Sequence, residues 1–181
     1  MRDISLHILD IVENSFDAGA DKIEIGIVED LTNNTLRLSV KDNGRGLNER
    51  QLAQATDPFY TTKKKKSVGL GIPMLAQASR EAGGEFRIQS QTGRGTTINA
   101  SFIHDHIDRK PLGDIPETLV ILIASRGGKA DILYRHQKDG ESFLMDTREL
   151  KRELKDIPIT HPDVLSIVKA KIKDGLGIIP K

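Results

Sequence analysis

The sequence predicts an α+β fold. Its main body is a two-layer α/β sandwich, a mixed sheet covered on one face by helices, with a small C-terminal α+β appendage. Three observations predict this. Apolar residues recur at helical spacing at the N-terminus. Short alternating segments come in pairs joined by turn residues. The element order helix, strand, strand, helix, loop, helix, strand, strand makes hairpins whose helices must share one face.

The first helix opens almost at Met1. Ile4, Ile8, Leu9, Ile11, Val12 and Phe16 form one apolar stripe, with Asp3, His7, Asp10, Asn14 and Asp17 opposite. Asp3 suits the N-cap, and Gly19 suits the left-handed position after the helix end. Ile23, Ile25 and Ile27 alternate as a strand, Asn33-Asn34 turns the chain, and Leu36, Leu38 and Val40 alternate back. A loop over 42–46 precedes a short helix over 48–55. Residues 57–71 read as a long loop with a lysine run at 63–66, and a helix from Ile72 ends at Gly83-Gly84. Strands at 85–90 and 96–103 follow, joined through Gly93 and Gly95.

Residues 105–117 hold Pro111, Gly113 and Pro116 and read as a linker. Beyond it, 118–124 reads as a buried strand, 125–129 as a turn, and 130–137 as a strand. Asp139-Gly140 marks a hairpin to 141–145. Asp146 with Glu149 resembles a capping box for a helix to 155. Thr160 and Pro162 open a last helix, with Gly175 after it. No internal repeat is evident. The chain thus divides into 1–104, a linker at 105–117, and a unit at 118–181 for docking or partner binding.

Composition narrows the function. The 181 residues carry 27 Lys+Arg against 26 Asp+Glu, a net charge of +1. That balance gives no bulk electrostatic grip on nucleic acid or membrane. Cysteine is absent, which excludes disulfides, thiolate nucleophiles and Cys-based metal sites. The longest apolar run, 118–124, is too short to span a bilayer, and charged residues at Arg2 and Asp3 make no signal peptide. A cytoplasmic protein is expected.

Four segments carry candidate chemistry. Glu13-Asn14 lies within Glu13-Asn14-Ser15-Phe16-Asp17-Ala18-Gly19-Ala20-Asp21, and a carboxylate beside a carboxamide offers a base and a neutral oxygen ligand for Mg²⁺. Asp42-Asn43-Gly44-Arg45-Gly46 leaves a strand end, where a carboxylate can accept from an exocyclic amine and glycines admit a flat ring. Asp57-Pro58-Phe59-Tyr60-Thr61-Thr62-Lys63 supplies hydroxyls and ammonium groups suited to phosphates. Val68-Gly69-Leu70-Gly71-Ile72 opens a helix, whose N-terminus attracts anions. Each alone also reads as an ordinary solvated face, turn, charge run or loop.

Taken together, their order and spacing resemble the histidine-kinase-like ATPases, the superfamily of DNA gyrase, the large heat-shock chaperone, sensor kinases and mismatch-repair clamps. The resemblance covers about residues 1–104. The first motif is most similar to the mismatch-repair version. The stretch 57–71 and Gly95-Thr96-Thr97 are most similar to sensor kinases. The resemblance implies that Asn14 coordinates the Mg²⁺ bridging the phosphates and that Glu13 orients or deprotonates the attacking group. It implies that Asp42 accepts from the adenine amino group and that Gly44 and Gly46 line the adenine pocket. Thr61, Thr62 and Lys63 would lie in a lid over the phosphates. Gly69, Leu70 and Gly71 would offer backbone nitrogens, Asp17 would join the nucleotide-binding set, and Thr97, or equally Thr96, would lie beside the adenine.

Departures shape the expectation. The helical hairpin and phosphoacceptor histidine of sensor kinases are not seen before the first helix, so a stand-alone domain is expected. The family's first edge strand is also missing, and 118–124 is the segment expected to fill it, in this chain or in a homodimer. His7 is expected to be solvated. His104-Asp105-His106 with Asp108 admits a metal reading, against a solvated linker. Ser125-Arg126-Gly127-Gly128-Lys129 admits a phosphate loop, against a hairpin turn. The implied function is that of an Mg-ATP-binding regulator like the anti-sigma-factor kinases, a phosphotransferase or ATPase acting on a protein partner. The alternatives are a nucleotide-gated clamp and an ATP-sensing module without turnover.

Overall fold

The computed structural model describes residues 2–57 and 71–178. Helix α1 (Ile4–Asp17) starts where Asp3 accepts from the Leu6 amide at 3.0 Å, and the chain leaves it through Gly19 at φ +79°. Strands β1 (Lys22–Asp30) and β2 (Thr35–Asp42) form the expected hairpin. Its turn places Asn34 at φ +51°, a conformation asparagine tolerates. Helix α2 (Glu49–Ala53) is capped reciprocally by Asn48 and Gln51, and α3 (Gly71–Glu81) leads into β3 (Phe86–Gln91) and β4 (Gly95–Ile103). Then come α4 (Ile115–Arg126), β5 (Asp131–Lys138), β6 (Glu141–Asp146), α5 (Thr147–Leu154) and α6 (Pro162–Ile178).

Among the described residues the strands form one six-stranded mixed sheet in the order β3-β4-β2-β1-β5-β6. Neighbours are antiparallel except β1 and β5, which run parallel with Ile25 opposite Tyr134. Alternation puts Ile23, Ile25 and Ile27, Leu36, Leu38 and Val40, Ile98, Ala100 and Phe102, and Ile132 and Tyr134 on one face. Apolar residues of α1, α3, α4 and α6 join them in a single core. The opposite face carries Arg37, Ser39, Arg87 and Asn99. This is the two-layer sandwich that the sequence predicts.

The C-terminal half differs from the expectation in its local structure. Residues 118–124 are helix, not strand; Ser125 and Arg126 end that helix, and of the expected turn only 127–129 is one, leading from α4 into β5 and not between two strands. Asp114 caps α4 by accepting from Glu117, and Pro116 sits in the first turn. Burial at Ile115, Thr118, Leu119, Leu122 and Ile123 traces a helical stripe. A window restricted to 118–124 is apolar all round, so neither period is readable within it. The edge of β1 is consequently filled by β5, with α4 packed beside α1. Helix α6 also runs on through Gly175, where a Cβ would meet the Phe143 ring at 2.1 Å.

The segment 105–114 packs back on the first helix. Ile4 and Ser5 amides donate to the carbonyls of Pro111 and Leu112, each at 2.9 Å. This covers His7, which is buried at 2% exposure, not solvated, with Nδ1 unpartnered among the described residues. Burial, with the N-terminal and Lys110 charges, lowers its pKa from 6.5 to about 4. His104 turns inward as well. With His136 it grips Glu29, Nε2 to carboxylate at 2.9 and 2.8 Å, and Tyr134 reaches His136 at 3.0 Å. Burial opposes ionisation of Glu29, but the two imidazole hydrogen bonds prevail and lower its pKa from 4.5 to about 2. Asp105 receives the Asn34 amide at 2.7 Å, and His106 lies 3.8 Å from Asp108. Among the described residues no His, Asp and Glu group is arranged to hold a metal ion.

Candidate functional site

Asp42 ends β2 with its carboxylate on the helix side of the sheet, 8% exposed. Oδ1 accepts from the Gly44 amide at 2.9 Å and the Thr96 amide at 3.2 Å. Oδ2 accepts from the Ser15 hydroxyl at 2.8 Å. Three donors therefore fix an acceptor-only group at the mouth of the loop. Gly44 keeps that carboxylate clear: a Cβ there would press within 3.1 Å of Oδ1 and 3.0 Å of Ala18.

The loop after Asp42 is locked on both sides. Asn43 accepts from the Asp21 and Lys22 amides at 3.1 and 3.0 Å and donates to Asp21 at 2.7 Å. The Arg45 amide donates to Ala18, and its guanidinium to the Asp17 carbonyl, both at 2.9 Å. Gly46 stands at φ +65°, where a Cβ would lie 2.1 Å from the Gln91 carbonyl. The backbone there admits only glycine. These contacts tie the end of α1, the loop after β2 and the β3–β4 turn into one rigid corner.

Asp10, Asn14 and Asp17 follow one another at spacings of four and three along α1, so they share a face. Gly71, the first residue of α3, packs against it: a Cβ there would lie 2.9 Å from the Asp10 Cβ and 3.1 Å from Oδ2. The amide-bearing start of α3 thus faces the carboxylate and carboxamide row of α1. Glu13 points elsewhere, its Oε1 accepting from Ser125 of α4 at 3.2 Å. Thr97 pairs with Lys41 and Gln89 in the ladder, which places it on the face away from the helices. Thr96 faces Asp42, and its hydroxyl meets Ser90 at 2.9 Å.

The structure therefore brings Asn14, Asp17, Asp42, Gly44, Gly46 and Gly71 to one corner. Thr61, Thr62, Lys63, Gly69 and Leu70 lie outside the described residues. Two further candidates emerge. Asp10 stands one turn before Asn14, and that spacing of four was its signal. Ser15 is buried behind Asn14, which sequence periodicity cannot distinguish from packing. Of the two threonines, Thr96 is the one beside Asp42, and Thr97 lies on the opposite face of the sheet. Mg²⁺ fits the donor set: a neutral amide oxygen at Asn14 flanked by two carboxylates suits a hard cation.

The architecture is a helix-covered mixed sheet with a shielded carboxylate at a strand end and a helix N-terminus opposite a polar helix face. Comparison with known proteins makes this specific. Residues 2–106, more than half the chain, match the family described as "Histidine kinase-, DNA gyrase B-, and HSP90-like ATPase", and the chain belongs to that family.

A putative sensor protein of Shewanella frigidimarina is 33% identical over 97 residues, 52% of this chain and 15% of that protein. Sporulation kinase C of Bacillus subtilis is 34% identical over 90 residues, 50% of this chain and 21% of that protein. Sensor protein kinase FleS of Pseudomonas aeruginosa is 34% identical over 110 residues, 61% of this chain and 27% of that protein. The chain thus spans between 15% and 27% of these relatives' length. Among solved structures, the MutL ATPase domain of Aquifex aeolicus complexed with ADP aligns with a TM-score of 0.51 at 16% identity, over 86% of this chain and 68% of that one. The N-terminal domain of a DNA repair protein aligns with a TM-score of 0.56 at 15% identity, over 81% of this chain and 53% of that one. At such identities the likeness is one of fold. Among the described residues no helix is long and apolar enough to cross a membrane.

Proposed function

We propose that this chain binds Mg-ATP at the corner between α1, α3 and the end of β2, and uses it for phosphotransfer to, or nucleotide-gated control of, a protein partner. The observation that carries the reading is Asp42, an acceptor-only carboxylate held by three donors and left clear by Gly44. Such a group suits the exocyclic amine of adenine and opposes the carbonyl of guanine at that place. Asn14 supplies the neutral oxygen for Mg²⁺, with Asp17 in the same row. The ion, when bound, neutralises phosphate charge. Gly71 and the start of α3 meet the phosphate chain with backbone N–H groups and the positive end of an eleven-residue helix. Thr61, Thr62, Lys63, Gly69 and Leu70 complete the phosphate contacts.

The activating carboxylate orients or deprotonates the attacking hydroxyl or water. Glu13 is one candidate. Asp10 is favoured by its position facing Gly71 on the Asn14 face, whereas Glu13 is engaged by Ser125. Residues 1–104 form the nucleotide-binding domain, and 118–181 serve partner capture or self-association. Kinase names among the relatives, such as that of Sporulation kinase C, support transfer over simple gating.

The test follows the γ-phosphate of labelled ATP incubated with the chain and proteins captured on it. Label on a protein supports transfer, and free phosphate alone supports a clamp. Bound but intact ATP supports a sensor, and absence of binding removes the proposal.

A further inference from the structure

Ser15 lies in the last turn of α1, next to Asn14, and is 3% exposed. Its hydroxyl stands 2.8 Å from Asp42 Oδ2 and 3.2 Å from the Ile11 carbonyl. Both neighbours are acceptors, so its single proton is directed at them. The two oxygens of Asp42 are not equivalent. Oδ1 is taken up by the Gly44 and Thr96 amides. Oδ2 receives only Ser15 among the described residues. A carboxylate oxygen accepts about two donors, so one place remains, on Oδ2.

We propose that Ser15 is a positioning residue that selects a 6-aminopurine nucleotide by fixing the free edge of Asp42. The inference rests on the reading that Asp42 receives the purine amino group. The terminal torsion of an aspartate is broad, so a carboxylate held on one oxygen alone would rock. The Ser15 contact pins the second oxygen and aims its remaining lone pair. With its proton committed, Ser15 offers nothing to a 6-carbonyl, so guanine and hypoxanthine meet an edge that only accepts. Ser15 therefore acts through Asp42 without touching the ligand.

A merely structural role for Ser15 predicts a different pattern, and two ligands separate them. ATP and purine riboside 5′-triphosphate, which lacks the amino group, are titrated calorimetrically into wild type, Ser15→Ala and Ser15→Thr in the presence of Mg²⁺. Ser15→Ala should weaken ATP about five- to tenfold, the scale of one ordinary hydrogen bond, because Ser15 acts through Asp42 and does not touch the ligand, and should leave the purine analogue within about twofold. Ser15→Thr, which keeps the hydroxyl, should restore ATP binding. Should Ser15→Ala unfold, Ser15→Cys replaces it as a near-isosteric variant with a weak donor. Unchanged ATP affinity, or an equal loss for both ligands, would overturn the inference while leaving nucleotide binding intact. A wild-type chain that binds neither ligand would overturn the nucleotide reading and this inference with it.

Discussion

Replacing Asp42 by Asn changes one atom and isolates the reading of the base. The variant can keep its oxygen toward the Gly44 and Thr96 amides, 2.9 and 3.2 Å away, because those donors require an acceptor. Its new NH2 group then takes the Oδ2 place. Ser15 can accept from it by rotating its proton onto the Ile11 carbonyl at 3.2 Å. The fold should therefore survive. At the ligand, however, an amide donor now faces an amine donor. A hydrogen bond to a charged acceptor contributes about 1.5–3 kcal/mol, so ATP affinity should fall roughly ten- to a hundredfold. Wild type should also bind GTP more weakly than ATP. Titration calorimetry at fixed Mg²⁺, with circular dichroism as the fold control, measures both. Equal ATP affinity in a folded Asp42→Asn protein would remove Asp42 from the site.

Three further outcomes are expected. Asn14→Ala should weaken Mg-ATP binding itself, whereas Asp10→Asn should retain binding and lose at least about a hundredfold in turnover, with Glu13→Gln the milder variant; binding and phosphate-release assays on all three check this, and the reverse ranking would return the activating role to Glu13. Stability should fall in two acid steps. His7 is held neutral with its pKa near 4. The unfolded chain therefore binds the extra proton between about pH 6.5 and 4, and up to about 3 kcal/mol is lost across that window. Glu29 is held ionised with its pKa near 2, so its contribution is complete above about pH 4.5 and disappears as pH falls toward 2. Urea unfolding against pH reads both, and His7→Gln should flatten only the upper window. Finally, a chain ending near Ile103 should aggregate, since it uncovers the β1 edge and the core faces that Leu119, Ile132 and Tyr134 bury, while its soluble fraction still binds ATP; a monodisperse truncated chain would refute that packing argument.

Among the described residues, the elements of the first hundred were legible because local and global signals agree there. Asp3, Gly19 and the Ile4-to-Phe16 stripe each state the same helix, and Asn33-Asn34 and the alternating isoleucines state the same hairpin. The C-terminal half was less legible where the sequence is apolar all round: 118–124 has no polar face to set a period, although Ile121 is exposed, and its start signals, Asp114 and Pro116, look like linker residues. Glycine at 175 reads as a stop, yet it is required inside α6 by the Phe143 ring. His7 has the helical phase of a solvent-facing residue and is buried by a segment a hundred residues away, a long-range contact invisible to periodicity.

In the site, residue types were legible and their directions were not. Asp42 and its glycines follow from a loop at a strand end. The division between Thr96 and Thr97 depends on ladder register, and Glu13 faces α4 because of Ser125, more than a hundred positions away.

The place of the adenine decides whether Asp42 reads the base. A crystal structure of the full chain with Mg²⁺ and a non-hydrolysable ATP analogue measures it. The 6-amino group should lie within about 3.2 Å of Asp42 Oδ2, with the phosphates running from Asn14 to the start of α3. An analogue bound elsewhere, or with its amino group turned away from Asp42, would contradict it.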